Sequence, residues 1–308
     1  MATSEERIIN ETLFEMLSTP GMEKRAIDSV NDFTRLKLRE EGFWRRIMTP
    51  LPISNDEFDR QVDTDKPVKV VDMEIDSPAA ITMPFANLPI NFYIWGRRYR
   101  ITFERYETPR FTKDINELRT YVMDIRQILA SNAIKDLLAA EDGSFITAVN
   151  AAVGPARDVK SPFTDEVQWR SFAGGISREN IAASLAILEG TKYHLPTTCA
   201  LMNNVTIRSF QAWQRNEMGG DYAEELIQNG IKSFDLLGIT WYVTIKRDLV
   251  PDDTIYYFTM PKFIGKFYLL EDATMAIKRE VYFLEFFAYE SLGGAIGHAG
   301  SVARADYL

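Results

Sequence analysis

The chain has 308 residues, 46% of them hydrophobic, enough to bury the core of one large domain or two interleaved ones. Its net charge is -9, and Cys199, His194 and His298 are its only cysteine and histidines, so an internal disulfide and a site of three or four soft metal ligands are both excluded. The acidic balance argues against direct nucleic-acid binding, and no apolar run approaches the roughly 20 residues that cross a bilayer.

The start, Met1-Ala2-Thr3-Ser4-Glu5-Glu6, signals neither secretion nor membrane insertion, and a reducing cytoplasm is the expected place of folding. Two amphipathic helices are predicted next, near 5–18 (Ile8, Ile9, Leu13, Met16, Leu17) and 22–40 (Ala26, Ile27, Val30, Phe33, Leu36), parted by Pro20-Gly21. Each is marginal alone in water, so the arm they form must dock on something larger, such as a neighbouring subunit. Between Thr49-Pro50 and Pro67 the chain is acidic and turn-rich. Asp56, Glu57, Asp63 and Asp65 read there as an exposed linker, with a cation site as the alternative. The densest basic groups, Arg45-Arg46 and Arg97-Arg98 with Arg100 and Arg105, read as solvated or interface faces and not as a phosphate site.

From Pro67 to Arg110 two strand-like flanks enclose an apolar tip. Val71, Met73 and Ile75 alternate with Asp72, Glu74 and Asp76, and Tyr99, Ile101 and Phe103 alternate with Arg100, Thr102 and Glu104. That is the pattern of two half-buried strands, paired with each other so that an acidic outer face meets a partly basic one. The tip, Ile81 to Gly96, is aromatic and broken by Pro84 and Pro89. So greasy an end either folds onto its own core or packs on a neighbouring subunit, and the second reading explains it better.

The clearest helical pattern runs from Thr112 to about Glu141, with Ile115, Leu118, Val122, Ile125, Leu129, Ala133 and Leu137 on one side, Asp114 and Glu117 at an acidic start and Gly143 as the stop. Phe145 to Phe172 is mixed. Ser177 caps a helix to Gly190 whose apolar side is Ile181, Ala182, Leu185 and Leu188. A strand over 198–202, a helix over 205–216, and strands over 239–245, 255–259, 267–270, 274–278 and 282–289 follow. Helices and strands come in blocks, so the fold class is α+β.

No chemistry stands out. Cys199 lies in an apolar strand, where an inert buried thiol is the ordinary outcome and a Cys-His nucleophile the alternative. Gly293-Gly294-Ala295-Ile296-Gly297 lacks the Lys-Ser or Lys-Thr of a phosphate loop and reads as a turn or a close backbone approach, and Gly174-Gly175 and Gly219-Gly220 read as turns. Among 44 carboxylates the sequence singles out no acid–base pair. No catalytic, cofactor or metal residue is assigned.

The order of parts and several stretches of the last third resemble the major capsid proteins of tailed bacteriophages, the Hong Kong 97 type fold. Those stretches are Met218-Gly219-Gly220-Asp221-Tyr222-Ala223-Glu224-Glu225, Leu236-Leu237-Gly238-Ile239, Asp248-Leu249-Val250-Pro251-Asp252 and Ala288-Tyr289-Glu290. The resemblance implies an N-terminal arm (1–64), an extended hairpin loop (65–110), a peripheral domain with a long spine helix and sheet (111–172), a compact axial domain (173–262) and returning strands (263–308). It implies a structural protein without turnover, which self-assembles in the host cytoplasm into hexamers and pentamers of an icosahedral head shell. Such a shell encloses DNA without gripping it, and an acidic wall is compatible with that. Met83, Phe85, Leu88, Phe92 and Trp95 become intersubunit contacts. Residues 70–96 hold no lysine, so loop crosslinking of the kind some members use is not expected. The short stretch before Pro67 favours a separate scaffold protein, beside a portal, as partner. An encapsulin-like compartment shell is the nearest alternative, and a soluble hydrolase the remote one.

Overall fold

The computed structural model describes residues 42–60, 64–75, 80, 82–83, 91, 93–118, 125–211 and 233–308. The two arm helices, Gly219-Gly220 and the stretch from Met218 to Glu225 lie outside the described residues. Among the described residues the first three α-helices are α1 (Phe43–Ile47), α2 (Ile115–Leu118) and the 29-residue α3 (Ile125–Val153), which at about 1.5 Å per residue is on the order of 45 Å long.

The long helix is not where its pattern placed it. Thr112 belongs to a strand, Asp114 accepts the Asn116 N–H at 2.7 Å to open α2, and α3 passes through Gly143 to end at Gly154, whose φ of +130° suits glycine alone. Glycine inside a helix costs about 1 kcal/mol. Against this, the extension buries Phe145, Ile146, Val149, Ala152 and Val153, and one fully buried Phe alone contributes about 1.5–3 kcal/mol. Tertiary burial therefore overrides the local stop.

One sheet has the order β1-β12-β13-β5, with β6 also on β13: β1 is Leu51–Pro52, β5 Glu104–Glu107, β6 Phe111–Asp114, β12 Gly265–Glu280 and β13 Phe283–Ile296. β12 and β13 form one antiparallel ribbon of 16 and 14 residues, where the sequence suggested shorter pieces. Bulges between Leu269 and Thr274 absorb the irregularity that made the pattern look broken. Ala133, Ile134, Leu137 and Leu138 of α3 pack on Ala273 and Ala288 of this ribbon.

Gly293 and Gly294 lie within β13, not in a turn, and the expected close approach is what they provide. A Cβ on Gly294 would stand 2.1 Å from the Trp44 ring, and one on Gly293 would stand 2.9 Å from the Thr102 carbonyl oxygen. Gly174 and Gly175 are turn glycines as expected, with φ of +88° and +73° and N–H groups donating to the Leu308 carbonyl.

The second sheet has the order β7-β14-β11-β8-β10-β9, built from β7 (Trp169–Phe172), β8 (Cys199–Asn203), β9 (Ser233–Leu236), β10 (Ile239–Thr244), β11 (Thr254–Phe258) and β14 (Val302–Tyr307). β8 and β11 are buried along their whole length because both faces are covered. Cys199, Leu201, Tyr256 and Phe258 face the core shared with α1 and α3. Ala200, Met202, Ile255 and Tyr257 face the helix α4 (Arg178–Glu189), whose cap Ser177 accepts the Asn180 N–H at 3.2 Å. Ile187 and Ser184 take the buried places on α4, and Ala182 is exposed.

The third sheet, β2-β3-β4, is made of β2 (Asp59–Arg60), β3 (Pro67–Asp72) and β4 (Arg98–Thr102). β3 and β4 pair as expected, with Ile101 and Phe103 buried, but on the first flank Val71 and Met73 are only half-buried, Ile75 is exposed, and Val68 is the buried residue. The segment from Thr49 to Pro67 is more than a linker, because β1 joins the first sheet and β2 the third. The 205–216 helix is described as α5 (Ile207–Gln211), and its remainder lies outside the described residues.

Candidate functional site

Among the described residues two surfaces present runs of three consecutive exposed apolar side chains, beside isolated ones such as Phe163 and Ile245. The first is the loop that leaves β3 and returns as β4, where Asp72 stands opposite Arg98 in an exposed ion pair at 2.7 Å. Pairs so exposed contribute about 0–1 kcal/mol, so this one fixes register more than it stabilises. Beyond it Tyr93 and Trp95 are each 78% exposed, touch edge to face at 4.7 Å and flank the exposed Ile94. Met83 is half-buried. Of the five expected contact residues the structure thus places Met83 and Trp95, and Phe85, Leu88 and Phe92 lie outside the described residues. Arg97, Arg98, Arg100 and Arg105 are exposed, in keeping with a solvated face.

The second surface is the turn of the long ribbon, Val281-Tyr282-Phe283, exposed at all three positions. Val281 adopts a φ of +46°, a left-handed conformation that a β-branched residue rarely takes. The Tyr282 carbonyl accepts the Ile115 N–H at 2.9 Å, which ties the turn to the start of α2.

Between α1, the long helix and the ribbon lies a buried charged anchor that the sequence reading missed. Arg45, expected on a solvated face, is buried instead. Its Nε donates to Glu141 of α3 at 3.0 Å, one Nη donates to Glu290 of β13 at 3.0 Å, and the other stands 3.6 Å from Asp272 of β12. Burial opposes the guanidinium charge, yet the hydrogen bond and charge of Glu141, with Glu290 and Asp272, more than offset it and raise its pKa. Glu290 cannot be charged as cheaply: burial first, and then the Glu141 carboxylate, raise its pKa well above the usual carboxylate range.

The neighbouring Asp142 accepts the Trp44 N–H at 3.0 Å and a hydrogen bond from the Lys246 Nζ at 2.7 Å. It thereby caps α1, whose own capping residue is Gly42, and binds the loop after β10 to the spine. Trp44 is clamped between Phe145 and Phe267, with centroids at 5.4 and 4.1 Å. One signal was legible in advance. Glu141 falls one turn from both Leu137 and Phe145, so a carboxylate stands on the apolar stripe of a helix, which asks for a buried cation.

Cys199 and His298 are both held in inert settings. Cys199 is buried in β8 and burial pushes its thiol up to about 12, which removes the thiolate that nucleophilic chemistry needs. His298 accepts the Gly300 N–H through Nδ1 at 2.9 Å, packs edge-on against Tyr193, and is held below its usual pKa by burial. Among the described residues no group of three or more His, Cys, Asp or Glu is placed to hold a metal ion, and no helix is long and apolar enough to cross a membrane. Asp56, Glu57 and Asp65 are exposed, the last paired with Arg60.

No protein-family model matches the chain, and no curated protein matches it in sequence. Solved structures do match. The capsid of an empty GTA particle superposes with a TM-score of 0.56 at 13% identity, over 85% of this chain and 88% of that one. The mature capsid of bacteriophage PhiM1 gives 0.56 at 8% identity, over 87% of each chain. A virus-like particle from Pyrococcus furiosus gives 0.52 at 10% identity, over 91% of this chain and 99% of that one. The α+β fold expected from the sequence resemblance, that of tailed-phage capsid proteins, is the fold found.

Proposed function

We propose that this chain is the major capsid protein of a tailed bacteriophage, a structural subunit that assembles into hexamers and pentamers of an icosahedral head shell around DNA. The observation that carries the reading is the whole-length match to capsid shells, over 85% of this chain and 88% of the GTA capsid chain. The exposed Tyr93, Ile94 and Trp95 support it, because a subunit destined for assembly keeps apolar anchors that its own core leaves uncovered.

Residues 1–64 then act as the arm, 65–110 as the extended loop, 111–172 as the peripheral domain, 173–262 as the axial domain and 263–308 as returning strands. Met83, Phe85, Leu88, Phe92 and Trp95 reach a neighbouring subunit. The partners are further copies of the chain, a separate scaffold protein, a portal and enclosed DNA, with assembly in the host cytoplasm and the virion as final location. No turnover belongs to this reading. A hydrolase fits poorly, because the most perturbed described acid, Glu290, is completely buried against Arg45.

Light scattering and negative-stain imaging of the chain expressed alone and with a neighbouring scaffold gene test the proposal. Shells, capsomers or tubes are expected, and a clean monomer of 35.3 kDa under both conditions would overturn it. A compartment shell of the encapsulin type is the second reading, motivated by the match to 99% of the virus-like particle chain. Nucleic acid inside purified particles favours the phage head, and a packaged enzyme the compartment.

A further inference from the structure

Among the described residues a cavity of about 250 Å³ opens where the base of the loop meets the spine helix and the ribbon. Met48, Phe145, Leu292 and Ile296 supply apolar wall, while Arg100 and Glu104 stand exposed at the rim. The volume lies below the range of about 300–1,000 Å³ that holds drug-sized ligands, and suits one or two side chains. The chain carries such side chains with nothing over them. Tyr93 and Trp95, each 78% exposed, meet edge to face near the loop tip, so they do not fill the cavity of their own chain.

Charge points the same way. Glu74 and Arg97 are exposed beside those rings, where the Met73 N–H donates to the Arg97 carbonyl at 2.8 Å and holds the two sides of the loop together. Tip and rim thus each hold one carboxylate and one guanidinium. Arg98 and Arg105 are paired with Asp72 and Glu107, whereas among the described residues Glu74, Arg97, Arg100 and Glu104 lie in no ion pair. Brought together, tip and rim make two pairs, Arg97 with Glu104 and Glu74 with Arg100. The ribbon turn is the other run of exposed apolar residues, but Lys278 and Glu280 beside it already pair with each other.

We infer that this cavity is the receiving site for Tyr93 and Trp95 of a second copy of the chain, with Arg97 of the incoming copy against Glu104 of the receiving one. The inference rests on the capsid reading and adds to it the place where the loop lands: the tip of one subunit sits on the loop base of the next. Knob and hole are different surfaces of one chain, so the contact is heterologous, and each copy gives its tip forward and takes one from behind. A contact of that kind closes into rings when its rotation permits.

Disulfide trapping in particles of the full chain tests it. In the double variant Arg97→Cys/Glu104→Cys the five-residue β4 separates the new thiols by more than the roughly 7 Å between Cα atoms that a disulfide spans, and Cys199 is buried, so a new disulfide joins two copies. Air oxidation should yield covalent rings of pentamer and hexamer size on denaturing gels, dispersed by reductant, and neither single variant should yield them. Charge reversal gives a second reading that leaves the core alone. Arg97→Glu and Glu104→Arg should each raise the concentration needed for particles several-fold, and together restore it. Parent particles whose double-cysteine variant forms no linked rings overturn the inference and leave the capsid reading standing. So do reversals that fail to rescue each other, and linkage by Tyr282→Cys/Glu104→Cys in its place, which would seat the ribbon turn there. A parent chain that forms no particles overturns both.

Discussion

Two tryptophans place the interior and the surface of this molecule side by side. Trp44 is clamped between Phe145 and Phe267 over a strand that has glycine at the point of contact, while Trp95 projects from the loop with Tyr93 as its only described ring contact. The first is committed to the fold and the second is not. On the proposed reading stability and association reside in different residues, and each can be altered with the other left in place.

The largest expected effect is at the anchor. Arg45→Ala leaves Glu141, Glu290 and Asp272 without their shared cation, and breaking a buried pair in this way costs about 3–5 kcal/mol. Urea unfolding, or loss of soluble protein, should register it. Next is Gly294→Ala, which puts a methyl group 2.1 Å from the Trp44 ring; overpacking of this order costs about 1–3 kcal/mol and should lower the thermal midpoint.

A smaller effect is set by pH. The folded-state pKa of Glu290 is raised above its unfolded value, so its contribution to stability is fully present below the ordinary carboxylate range and is lost as the pH rises through the raised value. Denaturation midpoints should fall over that window. Glu290→Gln, neutral throughout, should remove this share of the slope, and an unchanged slope would show that Glu290 is ionised in the fold. The smallest effect on stability and the largest on association belong to one variant. Trp95→Asp should leave unfolding within about 0.5 kcal/mol of the parent while abolishing particles, and normal shells from it would dismiss the loop contact.

Much of the local structure was legible in the sequence because its causes are local. Ser177 caps its helix as the sequence suggested, and the alternation around Ile101 and Phe103 was enough to pair β3 with β4. What stayed hidden depends on distant partners. Gly143 reads as a stop until Phe145 and Val149 are known to face a core built from strands a hundred residues away. Arg45 reads as solvated until Glu141 and Glu290 are seen beside it, 96 and 245 positions along the chain. β12 reads as two strands because its bulges interrupt the period-two pattern, and β14, with Ala303 and Ala305, shows little hydrophobic contrast of its own. The candidate site was legible as composition: so apolar a tip was read as lying outside its own core, and Tyr93, Ile94 and Trp95 are exposed.

The strand order has a consequence for how the chain is made. The strands β12, β13 and β14 all lie after residue 264, so both larger sheets are completed by segments synthesised after the strands that flank them. Until Val302–Tyr307 emerges, β7 and β11 have no strand between them, and the nascent chain carries open sheet edges. These sheets therefore close only after β14 has been made, and the interval before that is when a chaperone has most to protect.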